Sequence, residues 1–150
     1  MSIKKLSLLM GLCVLFAGCS TGRYGNLDSS HGVSDVEMGK RYLMGRGIAQ
    51  DNAKAFSYFK SAADDGDPFA QNEVAYLYAA GKGTQRDYTK AFSYYQQAAS
   101  KGLASAQYSL GQLYFYGLGT APNKALAMHW FQKSAAHGFE PAQKALAQNQ

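Results

Sequence analysis

The chain has 150 residues, 47% of them hydrophobic and 17% charged, with a formal net charge of +5. This is the composition of one domain-sized, soluble globular unit. The charge falls to +3 if Lys4 and Lys5 leave with an N-terminal leader, too mild a balance to argue for a nucleic-acid partner.

The first predicted element is that leader, residues 1–18. Lys4 and Lys5 precede the apolar run Leu6 to Ala17. The run is too short for a membrane-spanning helix, which needs about 20 residues, and suits a signal-peptide core. It ends in Phe16-Ala17-Gly18-Cys19-Ser20, which resembles a bacterial lipoprotein cleavage box, with Phe16 where leucine is usual. Cys19 is therefore the expected lipidation site, and Ser20 after it implies an outer-membrane, periplasm-facing location by that resemblance. The alternative is an ordinary secreted protein with a free cysteine near its new N-terminus. Residues 19–33 then read as a flexible tether. Their Ser and Gly content carries no apolar period, and such a length of chain spans roughly 20 Å root-mean-square.

From Ser34 the sequence repeats with a period of 36 residues. Gly45, Gly81 and Gly117 share a register, as do Gly47, Gly83 and Gly119, and Gly66, Gly102 and Gly138. The units are 34–66, 67–102 and 103–138. Each predicts two helices. In the first, Ala70, Val74, Leu77 and Tyr78 fall on one helical face, matched by Ala106, Leu110, Leu113 and Tyr114. A small residue recurs beside that face (Gly39, Ala75 and Gly111), which lets a neighbouring helix approach. Ser34 and Glu37 predict a capping box at the first start. The Gly-x-Gly that follows each first helix predicts a corner. It follows a helix and lacks the third glycine of a phosphate-binding fingerprint.

The second helix of each unit starts after Asp51, Asp87 or Asn123, all good N-cap residues. Ala55, Tyr58, Phe59 and Ala62 predict its buried stripe, and Gly66, Gly102 and Gly138 its left-handed ends. Helix pairs of this kind cannot bury their faces alone, so they stack into a solenoid with one continuous core. Residues 141–150, with Pro141 in the first turn, predict a terminal capping helix.

The pattern Leu110-Gly111, Tyr114, Gly117, Gly119, Ala127, Trp130-Phe131, Ala135 and Gly138 resembles the Sel1-like repeat, a branch of the tetratricopeptide superfamily. The resemblance covers residues 34 to 146. It implies an all-α fold: a right-handed α-solenoid of three helix-turn-helix repeats with a C-terminal cap. Arg41 departs from it, standing where Leu77 and Leu113 stand in the other copies. For function it implies an adaptor that gathers protein partners. A cysteine-rich branch is linked to β-lactam binding through paired cysteines in each repeat, which this chain lacks.

No constellation for catalysis, metal or cofactor emerges. His31, His129 and His137 have no second ligand at a metal-binding spacing. The adjacent Asp64 and Asp65 point to different sides of a helix and make no acid–base pair. The chemistry expected is therefore binding, with no small-molecule substrate. Transferring the superfamily's concave register gives Lys40 and Leu43, then Asn72, Tyr76 and Ala79, then Tyr108, Gln112 and Phe115. Tyr76, Tyr108 and Phe115 form either an exposed aromatic strip for a partner or packing between repeats. The function expected is a lipid-anchored envelope scaffold whose partner is another envelope protein. The alternatives are an immunity or inhibitor protein that neutralises a toxic envelope-targeted enzyme, and an enzyme acting on peptidoglycan.

Overall fold

Why these residues form helices is plainest at the helix ends. The second helix of every repeat opens on the cap its sequence supplies. The Asp51 carboxylate accepts from the backbone N–H groups of Ala53 and Lys54, both at 3.0 Å. Asp87 accepts from Lys90 N–H and Asn123 from Leu126 N–H, each at 3.0 Å. The first helices end on Gly45, Gly81 and Gly117, all with φ between 66° and 68°, the left-handed turn that glycine enters without a Cβ penalty. The computed structural model describes residues 33–149. The leader, Cys19, His31 and all of the tether but Val33 lie outside the described residues.

Seven α-helices occur among the described residues, in this order: α1 (Asp35–Met44), α2 (Asn52–Asp64), α3 (Pro68–Ala80), α4 (Tyr88–Ser100), α5 (Ala104–Tyr116), α6 (Lys124–Ala136) and α7 (Glu140–Gln148). No strand occurs among the described residues. Each helix packs chiefly on the next in the chain, so α1/α2, α3/α4 and α5/α6 are stacked hairpins and α7 closes the α6 side. The all-α solenoid with a C-terminal helix is thus the architecture.

Two end details differ from expectation. Ser34 accepts from Glu37 N–H, but the Glu37 carboxylate turns to Arg41, 3.5 Å away, so the reciprocal half of the capping box does not form. The first helix of the second repeat starts at Pro68, capped by Asp67, whose carboxylate accepts from Ala70 N–H at 2.7 Å. Leu103 and Phe139 stand in that register elsewhere and provide no side-chain cap.

The core follows the 36-residue register. Ala55, Phe59, Ala70, Val74, Leu77, Ala91, Ala106, Leu110 and Ala127 are completely buried. Tyr58, expected in the stripe, is only half-buried; it stacks on Tyr42 with ring centroids 5.6 Å apart. One residue on, Phe59 and Phe131 lie against the small residues of their hairpins. A Cβ on Gly39 would meet the Phe59 ring at 2.9 Å, and one on Gly111 the Phe131 ring at 2.7 Å. Aromatic contacts also link repeats: Phe56 meets Tyr78 edge-on at 5.1 Å, and Phe92 meets Tyr114 at 5.2 Å.

Two further devices join the repeats. The Gln71 and Gln107 side-chain amides donate to the carbonyls of Ala63 and Ala99, at the end of the preceding helix. The second glycine of the later two pairs seats on the repeat before it. A Cβ on Gly83 would overlap the backbone carbonyl of Asn52, and one on Gly119 that of Tyr88. Gly47 has nothing within 4 Å, because no repeat precedes it among the described residues. Arg41 fits the same picture: its side chain is 40% exposed, whereas Leu77 is 0% exposed.

The cap of α4 carries a pH signature. Backbone N–H donation from Lys90 is the main cause holding the Asp87 carboxyl below its ordinary value. A carboxyl depressed in the folded state adds stability above its unfolded pKa, and loses it as pH falls through the folded one. Asp87→Asn keeps the cap and removes the charge. It should flatten the loss of stability between about pH 4 and the lower folded pKa, as read by thermal melts across pH; an unchanged profile would contradict this.

Candidate protein-docking surface

The residues picked from the sequence fall into three environments. Lys40 lies over the Phe69 ring, its ammonium 4.4 Å from the centroid, and Leu43 packs half-buried on the core. Asn72 donates to Glu73 at 3.1 Å, while its Oδ1 is buried and accepts no hydrogen bond. These three are occupied within their own repeats and their neighbours. Tyr108 is half-buried, wedged between Phe131 and Phe139 at 5.4 and 5.5 Å, and its hydroxyl accepts from Gln112. For Tyr108 the geometry is mainly packing between helices.

Tyr76 differs. It is 40% exposed, and its hydroxyl accepts from Lys82 at 2.9 Å. With Ala79 it lines a groove of about 370 Å³ formed by α3, α4 and α5. Across from it stand Gln112, Leu113 and Tyr116 of α5, with Leu118 in the loop beyond. Phe115 meets the Tyr116 ring edge-on at 5.1 Å and lines a smaller cleft with Tyr108 and Gln112. Gln112 and Tyr116 line both hollows. The expected strip is therefore divided: Tyr76 belongs to the groove, Tyr108 and Phe115 to the cleft beside α7.

Sequence reasoning missed Tyr116, which at 67% exposed is the most exposed large hydrophobic residue described. The signal was available. Tyr116 shares its register with Met44 and Ala80, the last residue of each first helix, and a large ring replaces alanine there.

The groove floor is apolar and neutral. Burial pushes the Tyr95 hydroxyl up to about 12, opposed by a hydrogen bond with Ser109 and reinforced by the charges of Glu73 and Tyr76. Burial also raises the Glu73 carboxyl, against the Asn72 hydrogen bond and the Lys40 charge. No cluster of three His, Cys, Asp or Glu side chains could hold a metal ion among the described residues. His129 and His137 are exposed, and His129 lies edge-on to Trp130. Asp64 is held by Lys60 at 2.6 Å. Such a surface can bind; its lining of rings, an amide and small aliphatics is the composition of protein interfaces.

The Sel1 repeat family matches the chain three times, at residues 34–67, 68–103 and 104–139. Among solved structures, a Sel1 repeat protein from Oxalobacter formigenes is 41% identical. The match covers 76% of this chain and 86% of that one, with a TM-score of 0.69. A protective antigen of uropathogenic Escherichia coli strains, displaying an SLR fold, is 35% identical with a TM-score of 0.69. It matches 69% of this chain but only 22% of that longer one. Helicobacter pylori cysteine rich protein B shares the fold at 24% identity, with a TM-score of 0.63 over 75% of this chain and 89% of that one. No curated protein matches the chain. The chain belongs to the Sel1 repeat family.

Proposed function

We propose that this Sel1 repeat chain is an envelope scaffold that binds another envelope protein through the surface of its stacked first helices. Sel1 repeat proteins are in general protein-interaction scaffolds. One observation carries the reading to this chain: two exposed tyrosines, Tyr76 and Tyr116, line one groove on the repeat array. Exposed aromatic side chains in a concavity are what interfaces use as anchors. The location rests on the leader and the Cys19 box of the sequence: Cys19 carries lipid, the tether spans from it, and the repeats face the periplasm from the outer membrane.

The binding reading is tested by affinity recovery of the tagged full chain from detergent-solubilised envelope, followed by mass spectrometry. A stoichiometric envelope protein is expected, reduced when Tyr76 and Tyr116 are both replaced by alanine. Recovery of no protein, or turnover of peptidoglycan by the purified chain, would overturn it. The anchor is tested separately. Cys19→Ala should abolish labelling by radioactive fatty acid and leave the protein soluble or as precursor, whereas label persisting on that variant rules Cys19 out.

A further inference from the structure

Of the four large hydrophobic residues exposed among those described (Met44, Tyr76, Tyr116 and Leu126), two line a single groove. The two repeats that form that groove carry a one-sided charge. Between Pro68 and Phe139 the chain has six Lys and Arg but only two acids, Glu73 and Asp87. Asp87 is already used: it caps α4 and pairs with Lys90 at 3.4 Å. Glu73 is half-buried, held by Asn72, and faces the charge of Lys40.

Three of the cations have no acidic partner among the described residues. Lys82 sits at the Tyr76 end, hydrogen-bonded to the tyrosine hydroxyl and 5.2 Å from the ring centroid. Arg86 lies in the same α3–α4 loop, its Cβ beside Gly81. Lys124 is 5.7 Å from the ring of Phe115 in the adjoining cleft, and that ring packs against Tyr116, which lines both hollows. None of the three forms an ion pair among the described residues. Lys124 is also the first residue of α6, where a cation opposes the helix dipole. Its position does nothing for the helix it starts.

We infer that the α3–α5 groove docks an extended acidic segment of the partner protein, with an aromatic or long aliphatic anchor between Tyr76 and Tyr116 and carboxylates toward Lys82, Arg86 and Lys124. The inference rests on the scaffold reading and names the chemistry of its partner. The groove supplies burial for the anchor, and the unpaired cations supply orientation and attraction. Basic or uncharged segments lack the second half of that match.

The test is selection of a phage-displayed library of random linear dodecapeptides on the full chain, then anisotropy titration of the enriched peptides with a fluorescent label. Enriched peptides should combine Asp or Glu with one Phe, Tyr, Trp or Leu. Their affinity should fall roughly tenfold or more on Lys82→Glu with Lys124→Glu, and weaken steeply with salt. Tyr76→Ala with Tyr116→Ala should remove binding while the circular dichroism melt is kept, since both rings are exposed. Enrichment of basic or uncharged peptides, no enrichment over bare support, or acidic peptides indifferent to the charge reversal would overturn the inference. An envelope protein recovered equally by the charge-reversed chain removes this inference alone. Failure of the wild-type chain to recover any protein removes the scaffold reading as well.

Discussion

Gly119→Ala should destabilise the fold by roughly 2–5 kcal/mol, and Gly47→Ala by only about 1–2 kcal/mol, although the two occupy the same register. Both glycines have left-handed backbones, with φ of 71° and 73°, so both variants incur the same conformational cost. What separates them is the neighbour. A Cβ added at Gly119 would overlap the Tyr88 carbonyl, backbone against backbone, with no flexible side chain to yield; at Gly47 the space is open. Gly83→Ala should behave like Gly119→Ala, because it meets Asn52 in the same way. In a solenoid the loss falls on one interface between repeats. Urea denaturation of Gly119→Ala should therefore show an earlier, broader transition as the third repeat separates from the second. Equal midpoints for the Gly47 and Gly119 variants would mean that these glycines serve only as corners.

The second large effect lies inside a hairpin. Phe59→Ala should cost about 3–5 kcal/mol, since the ring is completely buried and also meets Phe69 at 6.4 Å. Its partner Gly39 gives the sharper prediction. Within a helix, alanine is favoured over glycine by about 1 kcal/mol, yet Gly39→Ala should destabilise, because its methyl would stand 2.9 Å from the ring. In the Phe59→Ala background the sign should reverse: the clash is gone, the propensity gain remains, and the methyl fills part of the cavity. A double-mutant cycle by chemical denaturation reads this coupling. Additive effects would show that the ring and the glycine are not in register.

These two predictions also mark where the sequence was legible. The left-handed ends, the Asp and Asn caps and the small-residue positions all follow from local chemistry repeated at a fixed period, and each is found where the period puts it. The seat of the second glycine was not legible. Gly83 needs no side chain because of Asn52, a residue of the preceding repeat, and no local rule connects them. The same holds for the amides of Gln71 and Gln107, polar groups that are buried against the carbonyls of the preceding repeat. At the candidate site, a transferred register found Tyr76, Gln112 and Ala79 of the groove. It could not tell that Phe131 and Phe139 would close over Tyr108, since that depends on how α6 and α7 pack. It missed Tyr116, the last residue of a helix, because the transfer stopped one position short.

On the reading proposed above, this repeat array presents the α3–α5 groove to a protein partner. The direct measurement places a photo-crosslinking amino acid at Tyr116 in the full chain expressed in a bacterial host, with the same group at Gln96, an exposed position on α4, as control. A discrete protein adduct is expected from position 116, suppressed by Lys82→Glu with Lys124→Glu, and none from position 96. Adducts of equal yield from both positions, or none from position 116 while the chain is fully folded, would contradict it.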